Sequence, residues 1–248
     1  MPVADSRAEC AATDCAATDS AATGRTAPRL RGVIFDMDGV LVDSEPLSMG
    51  TIAEVVAEHG GQVAPSTLAE LTGISLDEAL DAVASASGRR LDTCVLRESY
   101  DARYLPRLRA LAVPTPGLAA LLAALAAAGV PMGLASSSSL AEIDAVVTAL
   151  DLHRSLLAIA SAQEVARPKP APDVYRLAIE RLGAGPDGVV AIEDSATGLA
   201  AATAAGLRCV AVRTQATRTH DLSAAALVIG SLEELTVHVL ASLAAPPR

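Results

Sequence analysis

The sequence predicts an α/β fold, a doubly wound parallel sheet with an α-helical segment inserted after its first strand. Short apolar runs recur along the chain, and Ala-rich stretches of helical length alternate with them. That order is what a parallel sheet covered on both faces produces. Between the first apolar run and Pro114 the pattern is helical instead, with no convincing buried strand, which marks the insertion.

Residues 1–29 differ from the rest. Cys-Ala-Ala-Thr-Asp occurs twice in succession, followed by Ser-Ala-Ala-Thr-Gly. Too few large apolar groups are present to offset the entropy of ordering, so a disordered low-complexity tail is expected. No His or second Cys pair supports zinc binding by Cys10 and Cys15. At Leu30 the pattern changes, and Gly32 to Phe35 is an apolar run that stops at Asp36, the first expected strand. Helical periodicity follows at 52–59, 76–87 and 91–111. Residues 45–113 are therefore read as the helical insertion, with Ser44-Glu45-Pro46 and Val113-Pro114-Thr115-Pro116-Gly117 as its hinges. The catalytic core would then comprise 30–44 and 114–248. Further strands are expected at 130–135, 156–160, 189–192, 207–212 and 226–229, and helices at 118–128, 140–150, 173–182 and 198–205.

Composition narrows the function classes. The 248 residues include 51% hydrophobic side chains but only 2% aromatic ones, so the core must be built from Ala, Val, Leu and Ile. A formal charge of −10 leaves no basic surface for a nucleic-acid backbone. No apolar run reaches the ~18 residues that span a bilayer, and no secretory h-region is seen. Four scattered cysteines fit a reducing cytoplasm. A monomer acting on a small molecule is the expectation.

Ligands of such sheets bind at the carboxyl ends of the strands, and four polar clusters follow apolar runs directly. Asp36-Met37-Asp38-Gly39 places two carboxylates beside a buried strand, where they are costly without a nearby cation. Ser136 to Ser139 offers hydroxyls and backbone N–H groups for an anion, with Ser139 also suited to cap the next helix. Lys169 is the only lysine in a chain that otherwise uses Arg. Glu193-Asp194-Ser195 closes the set. Oxygen-only clusters suit Mg²⁺, and carboxylates with one ammonium and an anion cradle suit phosphoryl transfer.

These motifs, in this order, resemble those of the haloacid dehalogenase-like hydrolases. Phe35 to Pro46 looks like the first motif, and Ser136, Lys169 and Glu193-Asp194 with Gly198 look like the second, third and fourth. The helical insertion stands where the β-phosphoglucomutase-like and phosphatase branch carries its helical cap. The resemblance implies a Rossmann-like core and assigns roles. Asp36 would attack phosphorus and form a phospho-aspartate, and Asp38 would act as acid and then base. Mg²⁺ would be held by Asp36, Asp38 through its carbonyl, and Asp194, with Glu193 as a ligand or a support for ligands. Ser136 and Ser137 would bind phosphate, and Lys169 would neutralise charge. Glu45 and Gly73 are candidates for substrate contact. Asp173 is expected to cap the helix it begins.

The implied activity is a Mg²⁺-dependent phosphatase acting on a small phosphate ester such as a sugar phosphate, phosphoglycolate or a nucleotide-like monoester. The alternative is a β-phosphoglucomutase-type phosphomutase. Family mutases carry a His after the first motif and an Arg in the cap loop, where Ser48 and Leu76 stand here.

Overall fold

The computed structural model of the chain describes residues 30–71 and 76–244. The expected tail, with Cys10 and Cys15, and the candidate Gly73 lie outside the described residues. Six strands form one sheet: β1 (Gly32–Phe35), β2 (Met132–Ser136), β3 (Leu156–Ser161), β4 (Val189–Glu193), β5 (Arg208–Val212) and β6 (Leu227–Ile229). Their order is β3-β2-β1-β4-β5-β6, and every neighbouring pair is parallel. The chain starts in the middle of the sheet and builds outward in both directions, so β1 lies at the point where the winding reverses. Ligand sites belong at that point, at the carboxyl edge.

Between β1 and β2 run the helices α1 (Glu45–Glu58), α2 (Pro65–Glu70), α3 (Leu76–Ala86), α4 (Thr93–Leu111) and α5 (Leu118–Ala127), the first four of them in the inserted segment. Two details correct the sequence reading. Ser44-Glu45-Pro46 is a helix start rather than a hinge, with Pro46 in the first turn where its missing N–H costs nothing. The short α2 was not expected. The two connections to the sheet run side by side: Val42 bridges Pro114, and the Thr115 N–H donates to the Leu41 carbonyl at 3.1 Å. After β2 come α6 (Leu140–Ala149), α7 (Asp173–Arg181), α8 (Ala196–Ala204) and α9 (Val237–Leu243).

Alternation along the strands feeds two layers. Val33, Phe35, Leu134, Ile192 and Val210 join a core with buried residues of α5, α6 and α9. Ile34, Ala135, Ala191 and Ala211 join another with α7 and α8, largely through alanines. Both faces are covered, so the strands read as nearly continuous apolar runs. The helix α4 packs along both α1 and α6, and Arg109 pairs with Asp144 at 3.0 Å across the second contact. Among the described residues no helix is long and apolar enough to cross a membrane.

Candidate active site

The β1 strand delivers Asp36 to the carboxyl edge, where its N–H still donates to the Ile192 carbonyl at 2.9 Å. A tight turn follows, with the Met37 carbonyl accepting from the N–H groups of Leu41 and Val42 at 2.8 and 3.1 Å. Gly39 sits there at φ 77°. A Cβ at that position would also land on the Asp194 carboxylate, so conformation and space both demand glycine. The turn presents Asp38, whose two carboxylate oxygens each accept from a serine. Ser44 Oγ donates to one, and Ser138 Oγ donates to the other at 2.7 Å. With its hydroxyl so committed, Ser44 gives α1 no side-chain cap.

Ser136 ends β2, fully buried, and its Oγ accepts from the Ser138 N–H at 3.0 Å. Ser139 caps α6 in a reciprocal box with Glu142. Ser137 is exposed. From the loop before α7, Lys169 Nζ donates to Asp36 Oδ1 at 2.5 Å, Glu193 Oε1 at 2.6 Å and the Ala135 carbonyl at 2.9 Å. All three ammonium protons are thereby used. The β4 strand supplies Glu193, completely buried. Its Oε1 also accepts from the Tyr175 hydroxyl at 2.8 Å, and its Oε2 from the Ser195 hydroxyl at 3.2 Å. Tyr175 also turns its ring face to Lys169 at 5.1 Å.

Charge dominates the site. Burial, with the Glu193 charge next, pushes Asp36 up to about 7 even against Lys169. Burial followed by the Asp36 and Glu193 charges pushes Asp194 up to about 9. Burial opposes the Lys169 charge as well, but Asp36 and Glu193 outweigh it and hold the ammonium above its ordinary value. One ammonium does not satisfy these carboxylates. Ligand oxygens of Asp36, Glu193 and Asp194 lie within 4.8 Å of one another. Buried, all-oxygen and short of positive charge, the group fits a hard divalent cation.

The structure thus brings Asp36, Asp38, Ser136, Lys169, Glu193 and Asp194 to one edge of the sheet. Glu45 is the half-buried first residue of α1 on the same side. Asp173 departs from expectation: Pro172 holds the cap position of α7 without a side-chain bond, and Asp173 takes a two-pronged pairing from Arg167. Ser138 was named from sequence only within the serine run, and Ser44 only within the first motif and the expected hinge. Tyr175 was not singled out. Nor was Thr214, whose hydroxyl reaches Asp194 Oδ2 at 3.4 Å.

Gly198, in the first turn of α8, lies directly under Glu193, and a Cβ there would fall inside the Glu193 carboxylate. Gly198→Ala must therefore displace a buried carboxyl group together with the hydroxyls and ammonium bonded to it. The expected loss is about 2 kcal/mol or more, read from urea midpoints at unchanged slope. A variant as stable as the parent would show that the α8 N-terminus moves freely.

A carboxylate pair at a buried strand end, a lone lysine between two carboxylates and a serine loop beside them define a phosphate-ester hydrolase on a Rossmann-like core. The chain belongs to the haloacid dehalogenase-like hydrolase family, whose model matches residues 33–212. It is 33% identical over 217 residues to hexitol phosphatase B of Escherichia coli, covering 85% of this chain and 96% of that one. It is 34% identical over 205 residues to validoxylamine A 7'-phosphate phosphatase of Streptomyces hygroscopicus, covering 82% and 93%. Among solved structures, the CbbY protein of Rhodobacter sphaeroides in complex with xylulose-1,5-bisphosphate superposes with a TM-score of 0.72 at 29% identity, covering 83% and 96%. The enzyme class is that of the phosphatases.

Proposed function

We propose that the chain is a Mg²⁺-dependent phosphatase that hydrolyses a small phosphate monoester through a phospho-aspartate on Asp36. The observation that carries this is the pairing of Asp36 with Lys169 at a buried strand end, two residues from a second carboxylate held by two serines. Asp36 attacks phosphorus and forms the acyl phosphate, and the bond to the leaving oxygen breaks as Asp38 donates a proton to it. Asp38 then takes a proton from the water that hydrolyses the acyl phosphate, returning Asp36. The Ser44 and Ser138 hydroxyls fix the Asp38 carboxyl in one orientation through both transfers. Lys169 holds Asp36 in place and offsets phosphate charge. Ser136 and the loop after it supply the anion cradle.

Asp36, Asp194 and the Asp38 carbonyl would hold Mg²⁺, which when bound neutralises charge on the phosphate oxygens. Every acceptor site of Glu193 facing Lys169, Tyr175 and Ser195 is engaged, which supports Glu193 as the residue that orients Lys169 rather than as a direct ligand. The helices of 45–113 act as a cap over the leaving group, closing off bulk water. In place of a mutase histidine, Ser48 shares a hydrogen bond with Tyr100 at 2.9 Å. That arrangement offers no imidazole for a mutase and favours hydrolysis.

The test is phosphate release from a panel of small esters, with Mg²⁺ and with excess EDTA. Metal-dependent release is expected; rearrangement of β-glucose 1-phosphate to the 6-phosphate without release would replace the phosphatase by the mutase.

Cation binding should also depend on pH. Asp36 and Asp194 hold protons more tightly in the folded metal-free protein than in the unfolded chain, raised from 3.8 to about 7 and about 9. The folded state therefore binds more protons across that window, and metal-free stability falls as pH rises through it. A cation must displace those protons, so its apparent affinity rises with pH, by about tenfold per unit for each proton released. Calorimetric titration of Mg²⁺ in two buffers of different ionisation enthalpy should register the release near pH 7. Affinity flat from pH 6 to 9 would contradict it.

A further inference from the structure

The strand β3 lies at one edge of the sheet and ends beside the serine loop, with Ser161 in register with Ser136. It brings no carboxylate or ammonium to the site, yet Ser161 is completely buried. The Ser161 hydroxyl has two partners. It accepts from the Gln163 N–H at 3.1 Å, which caps the short turn Ala162–Glu164. It also donates to the Ser138 carbonyl at 2.7 Å. Capping uses only the acceptor side of a hydroxyl, so the bond to Ser138 is a separate commitment.

Ser138 is the serine of that loop whose hydroxyl rests on Asp38, and its backbone is held on both sides. Its N–H donates to Ser136 Oγ at 3.0 Å, and its carbonyl accepts from Ser161. The next peptide N–H, of Ser139, donates to Glu142 Oε2 at 2.8 Å. The Leu140 N–H donates to Gln163 Oε1 at 3.0 Å, so the end of β3 and the turn after it brace the loop twice. A run of four serines has no apolar side chain with which to anchor itself. With the peptide groups on either side of Ser138 fixed, its Cα–Cβ bond has one direction, and a staggered rotamer then sets where the hydroxyl points.

We infer that Ser161 is a positioning residue for the general acid: through the Ser138 carbonyl it keeps the Ser138 hydroxyl on Asp38, and so aims the Asp38 carboxyl at the leaving oxygen. The inference rests on the phosphatase reading, in which Asp38 protonates that oxygen. Proton donation in the transition state depends on such aim. In Ser161→Ala the nucleophile, Lys169 and the Ser44 bond to Asp38 all remain, and the loop loses its tie to β3. The damage is therefore selective: it falls on esters whose departing oxygen needs a proton and spares those whose anion leaves without one.

Phenyl phosphate and p-nitrophenyl phosphate are alike in shape and charge and differ in that need. kcat/KM with saturating Mg²⁺ covers the steps up to departure of the leaving group, and so reads Asp38 as an acid apart from its later work as a base. Ser161→Ala should lower the ratio of kcat/KM for phenyl to p-nitrophenyl phosphate about 10-fold. Equal falls on the two esters, or no fall on either, would overturn the inference and leave the phosphatase standing. A parent enzyme silent on both would overturn the phosphatase reading and the inference together. Ser161→Thr, which keeps the hydroxyl, should hold the parent ratio; a loss equal to that of alanine would overturn the role of the hydrogen bond. If Ser161 acts through Ser138, the double variant Ser138→Ala/Ser161→Ala should match Ser138→Ala alone on phenyl phosphate within about twofold. Losses that multiply would show that Ser161 acts by another route.

Discussion

Asp36→Asn should lower kcat by about four orders of magnitude or more while the chain stays folded. Asparagine keeps the shape of the side chain and can still accept from Lys169, but its amide oxygen is a poor nucleophile toward phosphorus. Stability should change little, because two effects oppose each other. The substitution removes a carboxylate that burial already penalises, and it leaves the Lys169 ammonium paired with Glu193 alone. Acid quench of the parent with labelled ester should trap label on Asp36 as an acyl phosphate, and the variant should trap none. A variant within tenfold of the parent kcat would remove Asp36 from the nucleophile's role.

Lys169→Met should damage both stability and turnover. The ammonium is enclosed, with its side chain 5% exposed, and it serves two carboxylates at once. Taking it away leaves the adjacent buried carboxyl groups of Asp36 and Glu193 without their cation, a loss of about 3–5 kcal/mol in metal-free protein at pH 8. At pH 5 the loss should shrink, since Asp36 takes up a proton and relieves the repulsion. Urea melts in EDTA at the two pH values measure the difference; equal losses at both would mean that the carboxylates are not in contention for a cation. Lys169→Arg should not restore activity. A planar guanidinium with fixed donors cannot point single protons at Asp36, Glu193 and the Ala135 carbonyl as a tetrahedral ammonium does.

Much of this was legible from residue order. Each strand announced itself because both faces of the sheet are buried, so Gly32 to Phe35 and Val189 to Ile192 are apolar throughout and stop at a charge. Asp36, Lys169, Glu193 and Asp194 could be found because they stand just beyond such stops. The first turn of α1 was hidden: Pro46 and Ser48 interrupt the helical pattern, and the tie from Ser44 to Asp38 is a contact that spacing does not reveal. At six residues α2 is too short to show a period. In a run of four serines nothing local says which hydroxyl turns inward, and the one on Asp38 belongs to Ser138 while Ser137 faces solvent. Tyr175 and Tyr100 occupy positions that read as ordinary core on an amphipathic helix. Their hydroxyls acquire meaning only once the helices are docked beside the strand ends.

The scarcity of aromatic rings has a use in spectroscopy. The chain has no Trp, one Phe and three Tyr, and Tyr100, Tyr104 and Tyr175 are all buried. Absorbance near 280 nm, near-ultraviolet dichroism and tyrosine emission therefore arise from side chains hydrogen-bonded to, or stacked beside, groups of the site. No remote tyrosine adds a background, so unlabelled protein can report on its own interior, the stacked Tyr100 and Tyr104 through the bond between Tyr100 and Ser48 and Tyr175 through its bond to Glu193.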